Sequence, residues 1–147
     1  MKQPIRVKKL RDNALLPTYG SLEAAGADLY ACLEEDVVIA PGKSAFIPTG
    51  LAMEIPQGYA GLIYARSGLA CKRGLAPANK VGVIDSDYRG EFIVVLHNHS
   101  DEMQTVSHAE RIAQLVVTPV LMPEFVVSDS LSDTERADGG FGSTGTK

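Results

Sequence analysis

Ten consecutive residues, Gly82-Val83-Ile84-Asp85-Ser86-Asp87-Tyr88-Arg89-Gly90-Glu91, set an acidic turn and an aromatic between two apolar, strand-like runs. Read as the tip of a β-hairpin, the turn gives Asp85 the position of a general base on a bound water. Tyr88, three residues on, can lie flat against a ring-shaped ligand. A second stretch, Arg136-Ala137-Asp138-Gly139-Gly140-Phe141-Gly142-Ser143-Thr144-Gly145, joins one cation and one aromatic to a glycine-rich run. Glycines let a backbone approach a polyphosphate, Ser143 and Thr144 offer donors, and Phe141 can stack on a base. The segment reads as a lid that orders on binding, the plainer alternative being a floppy tail. Together the two stretches point to nucleotide chemistry.

Ala65-Arg66-Ser67-Gly68-Leu69-Ala70 is a third candidate, a strand end running into a short helix. Free N–H groups at a helix start, a serine hydroxyl and an arginine fork suit phosphate oxygens, although an ordinary cap beside a surface arginine has the same sequence. Asp28, in Gly26-Ala27-Asp28-Leu29-Tyr30-Ala31, can position a hydrated cation or simply serve a turn. Asp85 and Asp87 lack a third ligand nearby, which argues against a direct metal cage. His97, His99 and His108 read as surface histidines rather than zinc ligands. Arg111 and Gln114 interrupt an apolar series and can serve an interface or a ligand channel.

These residues need a frame, and the frame reads as all-β. Short β-branched runs recur between Pro/Gly punctuation: residues 37–39, 51–55, 59–64, 91–97, 112–120 and 125–127. Many short strands imply a sandwich or barrel. One helical turn is expected from Ser67, as cap, to Gly74, as stop. From Ser128 the chain loses apolar residues and reads as a mobile tail.

A chain of 147 residues fits one domain that buries roughly 70% of its unfolded surface. The net charge of −4 argues against a general nucleic-acid or anionic-membrane binder, so any anionic ligand must be held locally. Cys32 and Cys71 lack a CxxC spacing and suit a reduced, cytoplasmic setting. Arg11, Asp12 and Asn13 interrupt the basic N-terminus before any signal-like apolar stretch, and no uncharged run approaches the ~18 residues of a membrane span.

Five segments, residues 26–31, 66–70, 82–91, 111–115 and 136–145, fall in an order that resembles the homotrimeric dUTPase family, and the likeness covers essentially the whole chain. The resemblance implies a distorted jelly-roll β-barrel with one short helix over residues 1–127, and a flexible glycine-rich arm over 128–147. It implies a homotrimer with active sites between subunits, hydrolysing dUTP to dUMP and pyrophosphate with Mg²⁺. That activity keeps uracil out of DNA and supplies dUMP for thymidylate synthesis, in the cytoplasm or, in a eukaryote, the nucleus. Nucleic acid and membrane are not expected partners.

Carried over position by position, Asp85 resembles the base that activates the attacking water, and Tyr88 the deoxyribose shelf that leaves no room for a 2′-hydroxyl. Asn79 and the backbone of Val83 and Ile84 would frame uracil. Arg66, Ser67 and Gly68 would contact phosphates, with Gln114 a further polar contact. Asp28 would orient water around Mg²⁺, while Arg136, Phe141, Gly142, Ser143 and Thr144 would close over the γ-phosphate and base. Ala65 stands where the family often has Pro, and Asp138 adds a negative charge near a triphosphate, which would weaken lid closure or make it more dependent on Mg²⁺. The related dCTP deaminases, a non-catalytic nucleotide sensor on the same fold and a plain structural jelly roll are the alternatives. Retention of Asp85, Tyr88, Arg89 and the glycine arm favours the hydrolase.

Overall fold

The computed structural model describes residues 4–141. Its strands are β1 (Arg6–Lys9), β2 (Thr18–Tyr19), β3 (Ala27–Tyr30), β4 (Val37–Ile39), β5 (Ser44–Glu54), β6 (Tyr59–Tyr64), β7 (Leu75–Pro77), β8 (Gly82–Ile84), β9 (Glu91–Asn98), β10 (Gln104–Val106) and β11 (Arg111–Pro119). One helix, α1 (Ser67–Arg73), interrupts them. The strands form a four-stranded sheet β1-β5-β9-β7, a five-stranded sheet β2-β3-β11-β6-β8 and a pair β10-β4. Paired strands run antiparallel, which suits short connections and half-buried strands.

Period-two patterning decides which side chains meet. On β9, Phe92, Val94, Leu96 and Asn98 point inward, and on β5 the inward set is Ile47, Thr49, Leu51 and Met53. The apolar ones share one core with Leu29, Ile39, Ile63, Leu75, Val106, Ile112 and Leu115, drawn from all three sheets. Buried Asn98 is tolerated because it is fully used: its amide donates to the carbonyls of Ile39 and Glu102, and its Oδ1 accepts from Ser100 N and Oγ.

The β5–β9 ladder has one break. Pro48 faces Ile93 and Ala52 faces Glu91, so four steps on β5 answer two on β9. An offset of two keeps inward residues inward. Gly50 lies within it at φ +69°, where a Cβ would stand 2.8 Å from Ala14 Cβ and 2.9 Å from Cys32 Sγ.

Three local expectations change. Arg66, not Ser67, occupies the helix cap position, since its carbonyl accepts from Ala70 N at 2.9 Å; its side chain is engaged elsewhere and makes no cap bond. The 82–91 turn is not a hairpin tip: β8 pairs with β6 in one sheet and β9 with β5 and β7 in the other, so the turn crosses between sheets. Residues 125–127 form no strand, and Phe125, Val126 and Val127 are exposed. A β-branched run reads alike whether or not a partner strand is present.

Candidate active site

Two groups of candidate residues flank the end of β6. Tyr64 faces Gln114 of β11 on one side, while Ile63 faces Gly82 of β8 on the other, and α1 begins three residues after Tyr64.

On the β11 side the centre is Asp28, buried on β3 directly opposite Gln114. Its Oδ1 accepts from Arg66 Nε at 2.7 Å and its Oδ2 from Arg111 NH1 at 3.2 Å. Arg66 also donates to the Arg111 carbonyl at 3.3 Å. Each carboxylate oxygen thus orients one guanidinium, and the carboxylate neutralises only part of their joint charge. Gln114 donates to the Ala65 carbonyl at 2.8 Å, fixing the residue before Arg66. Gly26 makes room for this amide, since a Cβ there would lie 2.5 Å from Gln114 Oε1. Ser67 and Gly68 are exposed at the start of α1. Arg73, near its end, ties the helix to Gln104, Thr105 and Glu110, and Gly74 stops it at φ +64°.

On the other side, β8 is the edge strand of its sheet, with one row of backbone N–H and C=O groups left for a ligand. A cleft of about 110 Å³ opens between this edge and β9, lined among others by Asn79, Gly82, Val83, Ile84 and Ile93. A slot beside a strand edge offers a planar base both apolar walls and backbone hydrogen-bonding groups.

The loop leaving this cleft carries Asp85, exposed, and Tyr88, 42% exposed. Tyr88 donates to the Glu91 carbonyl at 2.9 Å, its ring centroid is 6.2 Å from that of Phe92, and a Cβ at Gly90 would stand 2.6 Å from its Cζ. Arg89 is exposed and also staples the loop. It donates to the Ser86 and Tyr88 carbonyls and to Glu54, which also pairs with Arg6 at 2.5 Å.

The third group stands apart. Among the described residues the hydrogen bonds of 128–141 stay within that segment, Arg136 Nε donating to the Gly139 carbonyl at 2.8 Å. Phe141 is fully exposed. Gly142, Ser143 and Thr144 lie outside the described residues.

No group of three His, Cys, Asp or Glu side chains suited to a metal ion occurs among the described residues. His97 shares a hydrogen bond with Ser44, and His108 accepts from Leu33 N. His99, edge-on to His97, is held below the ordinary histidine pKa by desolvation first and by Lys80 and His97 second. Sequence reasoning gave no role to Arg111 on Asp28 or to Glu91. The usable signal for Arg111 was its cation at a strand start in an otherwise apolar run.

The fold defines the class, a jelly-roll β protein with a single short helix among the described residues. The chain matches the dUTPase family over residues 12–145. It is 52% identical over 141 residues to a deoxyuridine 5′-triphosphate nucleotidohydrolase of Nautilia profundicola, covering 96% of this chain and 98% of that one. The similarly described protein of Hydrogenobaculum sp. is 50% identical, with 96% and 97% covered. Among solved structures, the Staphylococcus bacteriophage 80alpha dUTPase with dUPNHPP superposes with a TM-score of 0.86 at 31% identity, covering 98% of this chain and 99% of that one. A phage phi11 dUTPase described with a structural Mg(II) ion gives 0.81 at 25% identity, covering 89% and 100%. The chain therefore belongs to the dUTPase family.

Proposed function

We propose that this chain hydrolyses dUTP to dUMP and pyrophosphate, with Asp85 as the base for a water that attacks the α-phosphorus. The observation that carries the reading is the cleft between the free edge of β8 and β9, with Asp85 and Tyr88 on the loop that leaves it. Uracil enters the cleft against Asn79 and the backbone of Val83 and Ile84, and Tyr88 lies under the sugar. The water gives its proton to Asp85 as its oxygen bonds to phosphorus; the bond to the bridging oxygen breaks and pyrophosphate leaves with the electron pair. Arg66, oriented by Asp28, receives phosphate charge together with Ser67 and Gly68, with Gln114 a further polar contact. A Mg²⁺ ion accompanying the triphosphate would supply charge neutralisation for the leaving group; Asp28, whose two oxygens already hold Arg66 and Arg111, would face its water shell rather than bind it directly.

The segment from Ser128, with Arg136, Phe141, Gly142, Ser143 and Thr144, closes over the substrate. The described hydrogen bonds of this segment stay within it, and Leu121, Phe125 and Val127 are exposed, which supports closure against a neighbouring copy; that the copies number three is what the family resemblance implies.

The test is pyrophosphate release from dUTP, UTP, dCTP and dTTP with Mg²⁺. Turnover of dUTP alone is expected, and Asp85→Asn should lose about 10²–10⁴-fold in kcat. Wild-type rates in that variant would remove Asp85 from the mechanism.

A further inference from the structure

We propose that Glu91 is a positioning residue for sugar selection, fixing the Tyr88 ring by anchoring the backbone beneath it to the offset in β5. The proposal rests on the reading of Tyr88 as the surface under the deoxyribose.

Tyr88 is half exposed, so packing does not settle its position from above. Its fixed points are the Glu91 carbonyl that its hydroxyl reaches, the Phe92 ring beside it, and the bare Cα of Gly90. All three belong to the stretch of chain entering β9, so the ring goes where residues 90–92 go.

That backbone meets β5 where the ladder is broken, between Pro48 and Ala52, and side chains do there what ladder bonds do elsewhere. Glu91 Oε1 accepts from the buried Gly50 N–H at 2.9 Å and from Arg11 NH1 at 2.7 Å. One residue on, the Phe92 carbonyl accepts from Thr49 Oγ1 at 2.6 Å, and Thr49 is fully buried. Gly50 in turn is tethered through its carbonyl, which accepts from Leu10 N at 2.7 Å, and its site has no room for a Cβ beside Ala14 and Cys32. The Glu91 side chain is 19% exposed against 42% for Arg11, so the inner bond to Gly50 is the better-shielded of the two. Glu91 also holds the Arg11 guanidinium above its ordinary pKa, chiefly through their hydrogen bond.

Removing the Glu91 carboxylate leaves a buried N–H without its acceptor and frees the strand start to shift. A small shift of the ring admits a 2′-hydroxyl while the base and phosphate contacts stay in place. The readout is therefore the ratio of kcat/KM for dUTP to that for UTP, which a merely destabilised fold leaves unchanged.

The experiment measures that ratio and the melting temperature for full-length wild type, Tyr88→Ala, Glu91→Ala, Glu91→Gln and Thr49→Val. Glu91→Ala should lower the ratio about tenfold or more, in the same direction as Tyr88→Ala. Glu91→Gln, whose amide oxygen still accepts from Gly50, should bring it back to within about threefold of wild type. Thr49→Val, which keeps shape and loses the hydroxyl, should lower it by a smaller factor and decides the matter if Glu91→Ala does not fold. A loss of discrimination in Tyr88→Ala with none in Glu91→Ala or Thr49→Val overturns the role of Glu91. An unchanged ratio in Tyr88→Ala overturns the reading of Tyr88, and the proposal with it.

Discussion

Asp28 serves two arginines, so its loss should be felt at both substrate and fold. Asp28→Asn leaves Arg66 and Arg111 facing one another with no anion between them, in a place where the carboxylate is only 13% exposed. Breaking this partly exposed pair of charged hydrogen bonds costs about 1–2 kcal/mol, and a disoriented Arg66 should lower kcat/KM for dUTP about 10–100-fold. Thermal melts alongside steady-state rates check both; a lower melting temperature with unchanged kcat/KM would confine Asp28 to the fold. The sequence marked Asp28 as a residue able to position a hydrated cation or serve a turn, and did not place it on a strand. It did not show that Arg111, 83 residues away, would share it, because cross-strand partners are set by register and not by local pattern.

At the level of elements, Gly74 shows how much a stop signal conveys. Its role in ending α1 was readable from a glycine after two basic residues, and φ +64° agrees. Its second duty was not readable: a Cβ there would stand 2.9 Å from the Ser100 amide nitrogen, so the helix end and the 98–102 turn are packed backbone to backbone. Gly74→Ala should therefore destabilise by about 1–3 kcal/mol in chemical denaturation, more than the left-handed conformation alone accounts for. A change of a few tenths would mean that the turn gives way freely. The same division runs through the sheets. Residues 59–64 were legible as a strand to both ends, being an apolar run bracketed by turn residues. That β8 abandons β9 for β6 was not, because either pairing satisfies the pattern of three residues. The free edge so created lines the cleft, and the local sequence is silent about it.

For the whole molecule, the core extends from Ala14 to Leu115, while Leu121, Met122, Phe125 and Leu131 lie outside it and exposed. A chain ended after Val127 should fold with a similar melting temperature yet lose dUTP turnover by about 10²-fold or more, since nothing then closes the site. Sedimentation of the full chain should give three times 15.7 kDa. Full activity in the shortened chain would refute the arm's role, and a monomer would refute the assembly. The two-residue offset in β5 bears on how such a molecule tolerates changes in length. Deleting one residue at the offset would turn every side chain beyond it inside out, placing Ala52 and Glu54 in the interior and Met53 in water. Deleting two would restore an unbroken ladder and a sound interior, at the expense of the anchor under Tyr88. Insertions and deletions along this strand thus have a reading frame of two, and only in-frame changes can yield a folded descendant with altered choice of sugar.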